Sequence, residues 1–268
     1  MLSFVITVHT LSNQIKSSAL SLWQTGTVPD AATTASVTGA RARARAEVRA
    51  AILAAAAERV ARDGATDLSL RAVARDVGMV SSAVYRYFAS RDDLLTALII
   101  QAYDSLGDRV DAHVATTSGQ PAAERWVDVA MEIRRWALEH PNDYALLYGT
   151  PIPGYAAPDD TVAPGTRVAR ALVRIVREAS RLEQPPGQPP GQPLEPALVE
   201  SFAALRVELD LGVDDATLLA IITAWTQLFG LLTFELFGQT HGFVSDDEAL
   251  FRAAAAAMAT WIGLPRTN

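Results

Sequence analysis

The chain has 268 residues, of which 50% are hydrophobic, and a formal net charge of −7. It contains no cysteine, which excludes a disulfide scaffold, a thiolate metal site and cysteine catalysis, and is compatible with a reducing cytoplasm. Abundant alanine and leucine, with little alternation of β-branched residues, predict an all-α protein. The length allows one large domain or two small ones.

Charge is distributed unevenly along the chain. Residues 41–91 contain ten arginines and five acidic residues, whereas residues 92–268 contain twelve arginines and twenty-four acidic residues. A basic N-terminal region followed by an acidic one is expected of a protein that binds DNA through the first and uses the second for another task. The negative net charge therefore does not exclude a nucleic-acid partner.

The first 40 residues differ in composition from the rest. Residues 1–36 contain one lysine and no arginine. The apolar run at residues 2–8 is too short for a signal peptide and no basic segment precedes it, while residues 27–39 are small and typical of a loop. We expect residues 1–40 to be either a disordered leader or the product of a misassigned start, with Val37 as the alternative initiator.

The first helix is predicted over residues 41–63. Apolar side chains recur on one of its faces: Val48, Ile52, Ala56 and Val60. Gly64 is expected to end it. Arg41, Arg43 and Arg45, at its beginning, are placed to contact phosphates or the minor groove, the alternative being a solvated leading edge.

Two short helices joined by a tight turn are predicted within residues 68–95. Ser69 is expected to cap the first helix, and Gly78 to supply the left-handed residue that ends it. Ser81 or Ser82 is expected to cap the second. Such a pair about a glycine is typical of a helix-turn-helix, whose second helix can enter the major groove of DNA.

Three pieces of this stretch resemble the tetracycline-repressor (TetR) family of one-component regulators. They are Gly78, the run Val84-Tyr85-Arg86-Tyr87-Phe88, and the run Ser90-Arg91-Asp92-Asp93-Leu94-Leu95. The resemblance implies an N-terminal three-helix helix-turn-helix DNA-binding domain, residues 41–91, and a C-terminal helical ligand-binding and dimerisation domain, residues 92–268. It also implies a cytoplasmic homodimer, usually a repressor, that binds a palindromic double-stranded operator and a small-molecule effector without a cofactor.

Carried over position by position, the resemblance places the DNA contacts in the helix-turn-helix. These are Ser69, Arg71, Ser81, Ser82, Ala83, Tyr85, Arg86, Tyr87 and Arg91. The two serines and the alanine of the second helix would approach base edges, and Arg91 would reach a phosphate. Because short side chains make few bidentate base contacts, we expect Arg71 or Arg86 to carry more of the readout. Met79 and Val80 depart from the small or polar residues usual in this turn.

The remainder of the chain is predicted as a series of helices. They are expected over residues 91–114, 122–140, 141–148, 166–182, 195–211, 214–237 and 245–262. The proline-rich repeat at residues 184–193 is expected to be an exposed connection. Dense aromatic residues interrupted by a loop at residues 149–165 can line an apolar pocket, or can simply form core. The candidate pocket residues are Trp126, Met131, Trp136, Tyr144, Tyr148, Trp225 and Phe229.

Residues 216–234 carry no charged side chain and are long enough to span a bilayer. Acidic flanks, threonine and glutamine within the run, and the lack of flanking basic residues favour a buried helix without membrane association. Together with residues 245–262 this helix is expected to form the dimer interface that the family resemblance implies. The expected interface residues are Leu228, Leu232, Phe251, Met258 and Trp261.

Residues 225–230 resemble the tryptophan–glycine motif of the "WHG" class of TetR effector domains, with Phe229 where that motif usually has histidine. The four histidines are scattered along the chain, and no glycine-rich phosphate loop is present, so neither a metal site nor an enzyme is expected. The alternatives that remain are a constitutive DNA-binding protein without a ligand, an activator of the same fold, and a membrane-anchored protein.

Overall fold

The structure is a computed structural model that describes residues 31–182, 193–209 and 211–264. Over these ranges the regular elements are helices and no β-strand occurs, which confirms the predicted all-α fold. Most of the predicted leader, residues 1–30, and of the proline-rich repeat, residues 183–192, lies outside the described residues.

The chain divides into two compact units. The first unit comprises Met1–Leu98 and Pro151–Asp159, and the second comprises Ile99–Thr150 and Asp160–Asn268. The division falls within a helix, so the two units share one continuous element.

The first unit contains α1 (Ala31–Asp63), a 3₁₀ turn, α2 (Leu70–Asp76), α3 (Ser81–Val84) and the beginning of α4 (Arg91–Thr116). The prediction that the first helix begins at Arg41 is wrong, because α1 already begins at Ala31. Residues 31–40 contain four alanines and no proline, so nothing in them breaks a helix that starts two residues after Pro29.

Local conformation explains how the short helices of the first unit are separated. Gly78 follows α2 with a φ of 67°, the left-handed conformation that was predicted for it. The N-cap of α3 is Val80, so the prediction that Ser81 or Ser82 caps this helix is wrong; both serines already have helical conformation. Ser90 accepts a hydrogen bond from the backbone N–H of Asp93 at 3.0 Å and thereby caps α4.

Buried apolar side chains from all four helices form the core of the first unit. They are Ile52, Leu53, Ala56, Leu68, Leu70, Val73, Val84, Phe88, Leu94, Leu95 and Leu98. Arg59 of α1 also hydrogen-bonds both carboxylate oxygens of Asp76 at the end of α2. These hydrogen bonds hold the pKa of Asp76 below its ordinary value. The position of α2 on α1 is therefore fixed by both packing and a bidentate ion pair.

The segment Pro151–Asp159 belongs to the first unit although it follows helices of the second. Its Tyr155 hydroxyl lies 2.9 Å from Thr96 Oγ1 of α4. Burial raises the pKa of Tyr155, as expected of a phenol that is partly withdrawn from water. The segment is thus attached to the first unit by a specific side-chain hydrogen bond.

The second unit is built from the rest of α4 and from seven further helices. These are α5 (Ala122–Glu139), α6 (Pro141–Tyr148), α7 (Val162–Gly165), α8 (Arg167–Leu182), α9 (Pro196–Leu209), α10 (Asp215–Leu236) and α11 (Asp247–Ile262). Asp214 and Asp246 cap α10 and α11 by accepting hydrogen bonds from backbone N–H groups. Gly263, with a φ of 86°, ends α11.

Helix α5 lies at the centre of the second unit, against α8, α10 and α11. Its predicted apolar stripe is buried, including Trp126 and Trp136. Its buried charged groups are paired with neighbouring helices: Arg134 donates to both carboxylate oxygens of Glu235, at 2.6 and 2.9 Å. Pairing is what allows these charges to be buried on a central helix.

Helix α10 is the one helix, among the described residues, that is long and apolar enough to cross a membrane. Core helices meet the same criterion, and α10 packs against α5, α6, α9 and α11. One of its faces is buried through Leu218, Leu228 and Leu232, whereas Phe234 on the other face is half exposed. The prediction places one face of α10 against its own core and the other against a second subunit. The single subunit buries the first face and leaves the second partly exposed.

Candidate DNA-binding surface and candidate effector site

The helix-turn-helix leaves most of the predicted DNA-contact residues at its surface. The exposed ones are Arg41, Arg43, Arg45, Ser69, Arg71, Ser82, Tyr85 and Arg86, and the partly exposed ones are Ser81, Ala83, Tyr87 and Arg91. Val84 and Phe88 alternate with them and are buried. Helix α3 and the segment that follows it are thus held by two buried apolar side chains, while the side chains between them remain accessible.

Three arginines around α2 and α3 are exposed and have no ion pair or side-chain hydrogen bond with any described residue. They are Arg71, Arg75 and Arg86. Arg75 was missed by sequence reasoning, although it lies four residues after Arg71 on α2 and so shares its face. Exposed guanidinium groups without an internal partner are suited to phosphate and base contacts.

Other arginines of the first unit are engaged within it. Arg91 donates to the backbone carbonyls of Ala65 at 2.9 Å and Thr66 at 3.3 Å. The guanidinium of Arg91 thus fastens the 3₁₀ turn to α4, and its predicted contact with a DNA phosphate stays a prediction. A sequence motif fixes where an arginine lies along the chain, but not which internal carbonyl groups it meets.

Two cation–π contacts join α1 to the segment that follows α3. The guanidinium of Arg45 lies 5.6 Å from the ring centroid of Tyr87, and that of Arg49 lies 5.1 Å from the ring of Phe88. Contacts of this kind are worth about 0.5–1 kcal/mol at exposed sites. Arg45 and Tyr87, both predicted DNA contacts, are thereby held next to each other.

Five aromatic rings of the second unit form a cluster made by α4, α6 and α10. Ring centroids lie 4.4 Å apart for Tyr148 and Phe229, 4.5 Å for Trp225 and Phe229, and 5.2 Å for Tyr144 and Tyr148. The structure therefore brings together four of the predicted pocket residues. It adds Tyr103, at 6.4 Å from Tyr148, which sequence reasoning missed although it follows the buried Ala102 on α4.

The phenols of this cluster have perturbed acidities. The Tyr144 hydroxyl donates to the carbonyl of Phe229 and contacts Thr233 Oγ1, both at 2.9 Å, and burial raises its pKa to about 12. Burial raises the pKa of Tyr148 well above its ordinary value, with further contributions from Tyr103 and Tyr144. Tyr103, Tyr148 and Trp225 nevertheless keep part of their surface accessible. The cluster is apolar and uncharged, and three of its rings are open to contact.

The other three predicted pocket residues lie in the core and form no ring contact with the cluster among the described residues. Trp126, Met131 and Trp136 are buried. Trp136 donates through Nε1 to Ser105 Oγ at 3.0 Å and packs on His140, with ring centroids 5.5 Å apart. Their role in this structure is packing around α5.

The residues predicted for the dimer interface are mostly internal. Leu228, Leu232, Phe251 and Met258 are buried within the single subunit, and Trp261 alone of the five is exposed. The prediction that all five face a second subunit is therefore corrected. Helix α10 is apolar on every side, so its sequence pattern does not distinguish the face that packs on α5 and α11 from the face that remains free. The exposed large apolar residues of α10, its C-cap and α11 are Phe234, Phe237, Leu250 and Trp261.

An acidic stripe on α4 is occupied by an arginine. Arg167, at the start of α8, contacts Asp108 at 2.7 Å, Asp111 at 2.8 Å and Asp104 at 3.4 Å. Gly107 provides the space for it, because a Cβ atom there would lie 2.7 Å from Arg167 Nε. Within the described ranges no group of three or more histidine, aspartate or glutamate side chains could hold a metal ion.

Comparison with protein families places both parts of the chain. A model of bacterial regulatory proteins of the tetR family matches residues 52–98, and a model of the tetracyclin repressor-like C-terminal domain matches residues 126–258. The HTH-type transcriptional regulator Rv1816 of Mycobacterium tuberculosis is 38% identical over 177 residues, which cover 66% of this chain and 75% of that protein. Regulator Mb1846 of Mycobacterium bovis matches to the same extent.

Solved structures agree with this assignment. The crystal structure of the regulatory protein SCO4313 superposes with a TM-score of 0.66 at 34% identity, covering 81% of this chain and 98% of that one. A protein from Rhodococcus sp. RHA1 superposes with a TM-score of 0.59 at 26% identity, covering 81% and 95%. With the two family models and relatives above 30% identity, these similarities show that the chain belongs to the TetR family of transcriptional regulators and carries a helix-turn-helix DNA-binding domain.

Proposed function

We propose that this TetR-family regulator is a homodimeric repressor that binds a palindromic operator and leaves it when a small apolar effector binds. The DNA-binding domain occupies residues 41–91, and the effector-binding and dimerisation domain occupies residues 92–268. The main support is the contrast among the arginines of the first unit. Arg71, Arg75 and Arg86 are exposed and unpaired among the described residues, whereas Arg59 and Arg91 are held by internal partners.

Each DNA-binding domain offers a small contact surface, so a dimer supplies the specificity. In helix-turn-helix dimers two recognition helices enter successive major grooves about one helical turn, roughly 34 Å, apart. Arginine–phosphate contacts release counterions, so affinity is expected to fall steeply as salt rises. The exposed arginines would provide this electrostatic part of the binding.

The second subunit would bind on the free face of α10 and α11. Phe234, Phe237, Leu250 and Trp261 are exposed there, and exposed large apolar side chains grouped on neighbouring helices are typical of an interaction surface. This set replaces the buried leucines Leu228 and Leu232 as the candidate interface. Trp261 is common to both assignments.

The effector would bind at the aromatic cluster of the second unit. Tyr103, Tyr148 and Trp225 keep part of their surface accessible. A planar, uncharged, largely apolar compound fits such a surface. An effector that binds more tightly to the form unable to bind the operator would shift the population toward that form.

One observation favours the alternative of a constitutive DNA-binding protein without a ligand. Tyr144 and Phe229 are buried, and the Tyr144 hydroxyl already has two partners within the subunit. An aromatic cluster that fills its own space needs no effector. An activator of the same fold would use the same surfaces and would differ only in where the operator lies relative to the promoter.

Selection of binding sequences by the purified protein from a random double-stranded DNA pool tests the DNA-binding half of this proposal. We expect an enriched palindrome, bound by a dimer with an affinity that falls as salt rises. A screen of aromatic compounds for thermal stabilisation and for release of that DNA tests the effector half. DNA binding that no compound changes would favour the constitutive alternative, and a pool without enrichment would contradict the proposal.

A further inference from the structure

Val80 presents an apolar side chain at the head of the recognition helix. The residue is 71% exposed, and it occupies the N-cap of α3 in an extended conformation, with φ of −70° and ψ of 142°. Among residues 39–98 it is the most exposed large aliphatic residue. It therefore contributes little to the core formed by Val84 and Phe88.

Folding alone does not explain a valine at this position. An N-cap serine, threonine or aspartate accepts a hydrogen bond from a free backbone N–H of the helix, whereas valine is among the poorest N-cap residues. No side-chain hydrogen bond caps α3. Helices α10 and α11 of the same chain do use aspartate caps, Asp214 and Asp246. The sequence thus has no side-chain cap at a helix of only four residues, whose few internal hydrogen bonds make a cap useful.

The surroundings of Val80 are those of a base-reading surface. The next two residues are Ser81 and Ser82, whose hydroxyls have no hydrogen-bond partner within the described part of the chain. In helix-turn-helix proteins the N-terminal residues of the second helix are the ones that contact base edges. The thymine C5-methyl is the apolar group that base pairs present in the major groove. The exposed isopropyl group of Val80 can pack on that methyl group, and it cannot form a hydrogen bond with the polar edge of a base.

We propose that Val80 is a specificity-determining residue that packs its side chain on the C5-methyl of one thymine in each operator half-site. The inference rests on the proposed binding of DNA through α3. It adds one apolar base contact to a recognition helix whose other base-facing residues are two serines and an alanine. Specificity at that base pair would then come from Val80, while the arginines supply affinity.

Replacing thymidine by deoxyuridine tests the contact, because this change removes only the C5-methyl. Each thymine of the selected operator is replaced in turn, and binding is measured for the wild type, Val80→Ser, Val80→Ala and Val207→Ser. Val207 is a matched control, an exposed valine on α9 with 85% of its side chain accessible. Val80→Ser supplies the missing side-chain cap of α3. Thermal unfolding of each variant checks that a change in binding does not reflect loss of fold.

We expect one thymine per half-site at which methyl removal lowers wild-type affinity by about fourfold, the effect of burying one methyl-sized group. Val207→Ser keeps this sensitivity, whereas Val80→Ser and Val80→Ala lose it while remaining folded. Equal sensitivity in the wild type and the Val80 variants, or no sensitive thymine, would overturn the role of Val80 and leave the proposed function intact. A pool without any enriched sequence would overturn both.

Discussion

The two units of this chain differ in whether their charged side chains are exposed or buried in internal ion pairs. In the first unit short helices are held by a few apolar anchors, and arginines such as Arg71 and Arg86 remain exposed without partners among the described residues. In the second unit the charged groups of the central helix are turned inward and paired, as Arg134 is with Glu235. The same type of side chain is therefore available for an external partner in one unit and consumed by folding in the other.

This difference teaches how far a charge count can be used. Arginines are numerous in both units, but an arginine buried in an internal ion pair cannot reach a phosphate and release counterions from DNA. Arg134 lies in a buried pair, where removal of either partner leaves an uncompensated charge. Each of the following experiments tests whether a side chain is packed within its unit or is available at the surface to an external partner.

The largest effect is expected from Leu232→Ala, which tests the inside of the second unit. Leu232 is completely buried between α10 and its neighbours, so its truncation should leave a cavity and lower the free energy of unfolding by about 3 kcal/mol. Denaturant unfolding measures this change. Trp261→Ala is the matched control: with half of its side chain exposed, it should weaken self-association in sedimentation and alter subunit stability much less. The reverse pattern would return Leu232 to the interface.

A pH titration tests whether the Tyr144 hydroxyl is buried within the aromatic cluster. Burial raises the pKa of Tyr144 to about 12, against about 10 in the unfolded chain. Its contribution is therefore fully present below pH ~10 and is lost as the pH rises toward 12, on the order of 2 kcal/mol. Tyr144→Phe should reduce this alkaline decline by the share of Tyr144, leaving that of Tyr148, and cost about 1 kcal/mol at neutral pH, because it deletes the two hydroxyl contacts. An unchanged alkaline limb in the variant would mean that other groups cause it.

Arg86→Ala tests the outside of the first unit. Since Arg86 is exposed and unpaired within the described residues, its loss should lower operator affinity by about tenfold and leave thermal unfolding unchanged. Gel-shift titration at several salt concentrations measures the affinity and its salt dependence. Arg62→Ala is a control, because Arg62 is also exposed but lies near the end of α1 beside Asp63. Equal losses in the two variants would indicate a general charge effect and would refute the placement of α3 on the DNA.

Arg91→Ala should behave oppositely, although Arg91 belongs to the same sequence motif. Its guanidinium holds the carbonyls of Ala65 and Thr66, so the free energy of unfolding of the first unit should fall by about 1 kcal/mol. Hydrogen exchange at residues 64–68 should rise. Operator affinity per folded molecule should change less than in Arg86→Ala. A loss of affinity without a loss of stability would support the prediction that Arg91 contacts a phosphate.

The contrast between Arg86 and Arg91 shows what sequence could predict here. The all-α fold, the two helices about Gly78 and the alternation of buried and exposed residues in the Val84–Phe88 run follow from short-range spacing, and the structure has them. The engagement of Arg91 by a turn 25 and 26 residues earlier does not follow from spacing. A local pattern specifies which side of a helix is apolar, but a partner distant in sequence is known only once the chain is folded.

Helix α10 shows a second limit of prediction from sequence. Its composition correctly indicates a core helix, but apolar residues on every side give no periodicity from which an inner face can be chosen. Leu228 and Leu232 were therefore assigned to the interface and are found inside, whereas Phe234 is half exposed. The aromatic cluster was partly predictable for a similar reason. Aromatic residues on α6 and α10 were recognised by density, and Tyr103 on α4 was not.

The smallest effect, and the sharpest test of close packing in the second unit, is expected from Gly107→Ala. Alanine in a helix interior is more favourable than glycine by about 1 kcal/mol, so the substitution should by itself stabilise α4. Its Cβ would lie 2.7 Å from Arg167 Nε, so the guanidinium must move away from Asp108 and Asp111. Because partly exposed ion pairs are each worth about 0–1 kcal/mol, the two effects should nearly cancel.

A double-mutant cycle separates these two contributions. In an Arg167→Ala background no guanidinium lies against Gly107, and Gly107→Ala should raise the free energy of unfolding by the full helix-propensity gain of about 1 kcal/mol. In the wild-type background the gain should be close to zero. Equal gains in both backgrounds would show that Arg167 does not rest on Gly107. The acidic stripe on α4 would then be an exposed surface charge, like the charged groups of the first unit, and not an internal contact of the second.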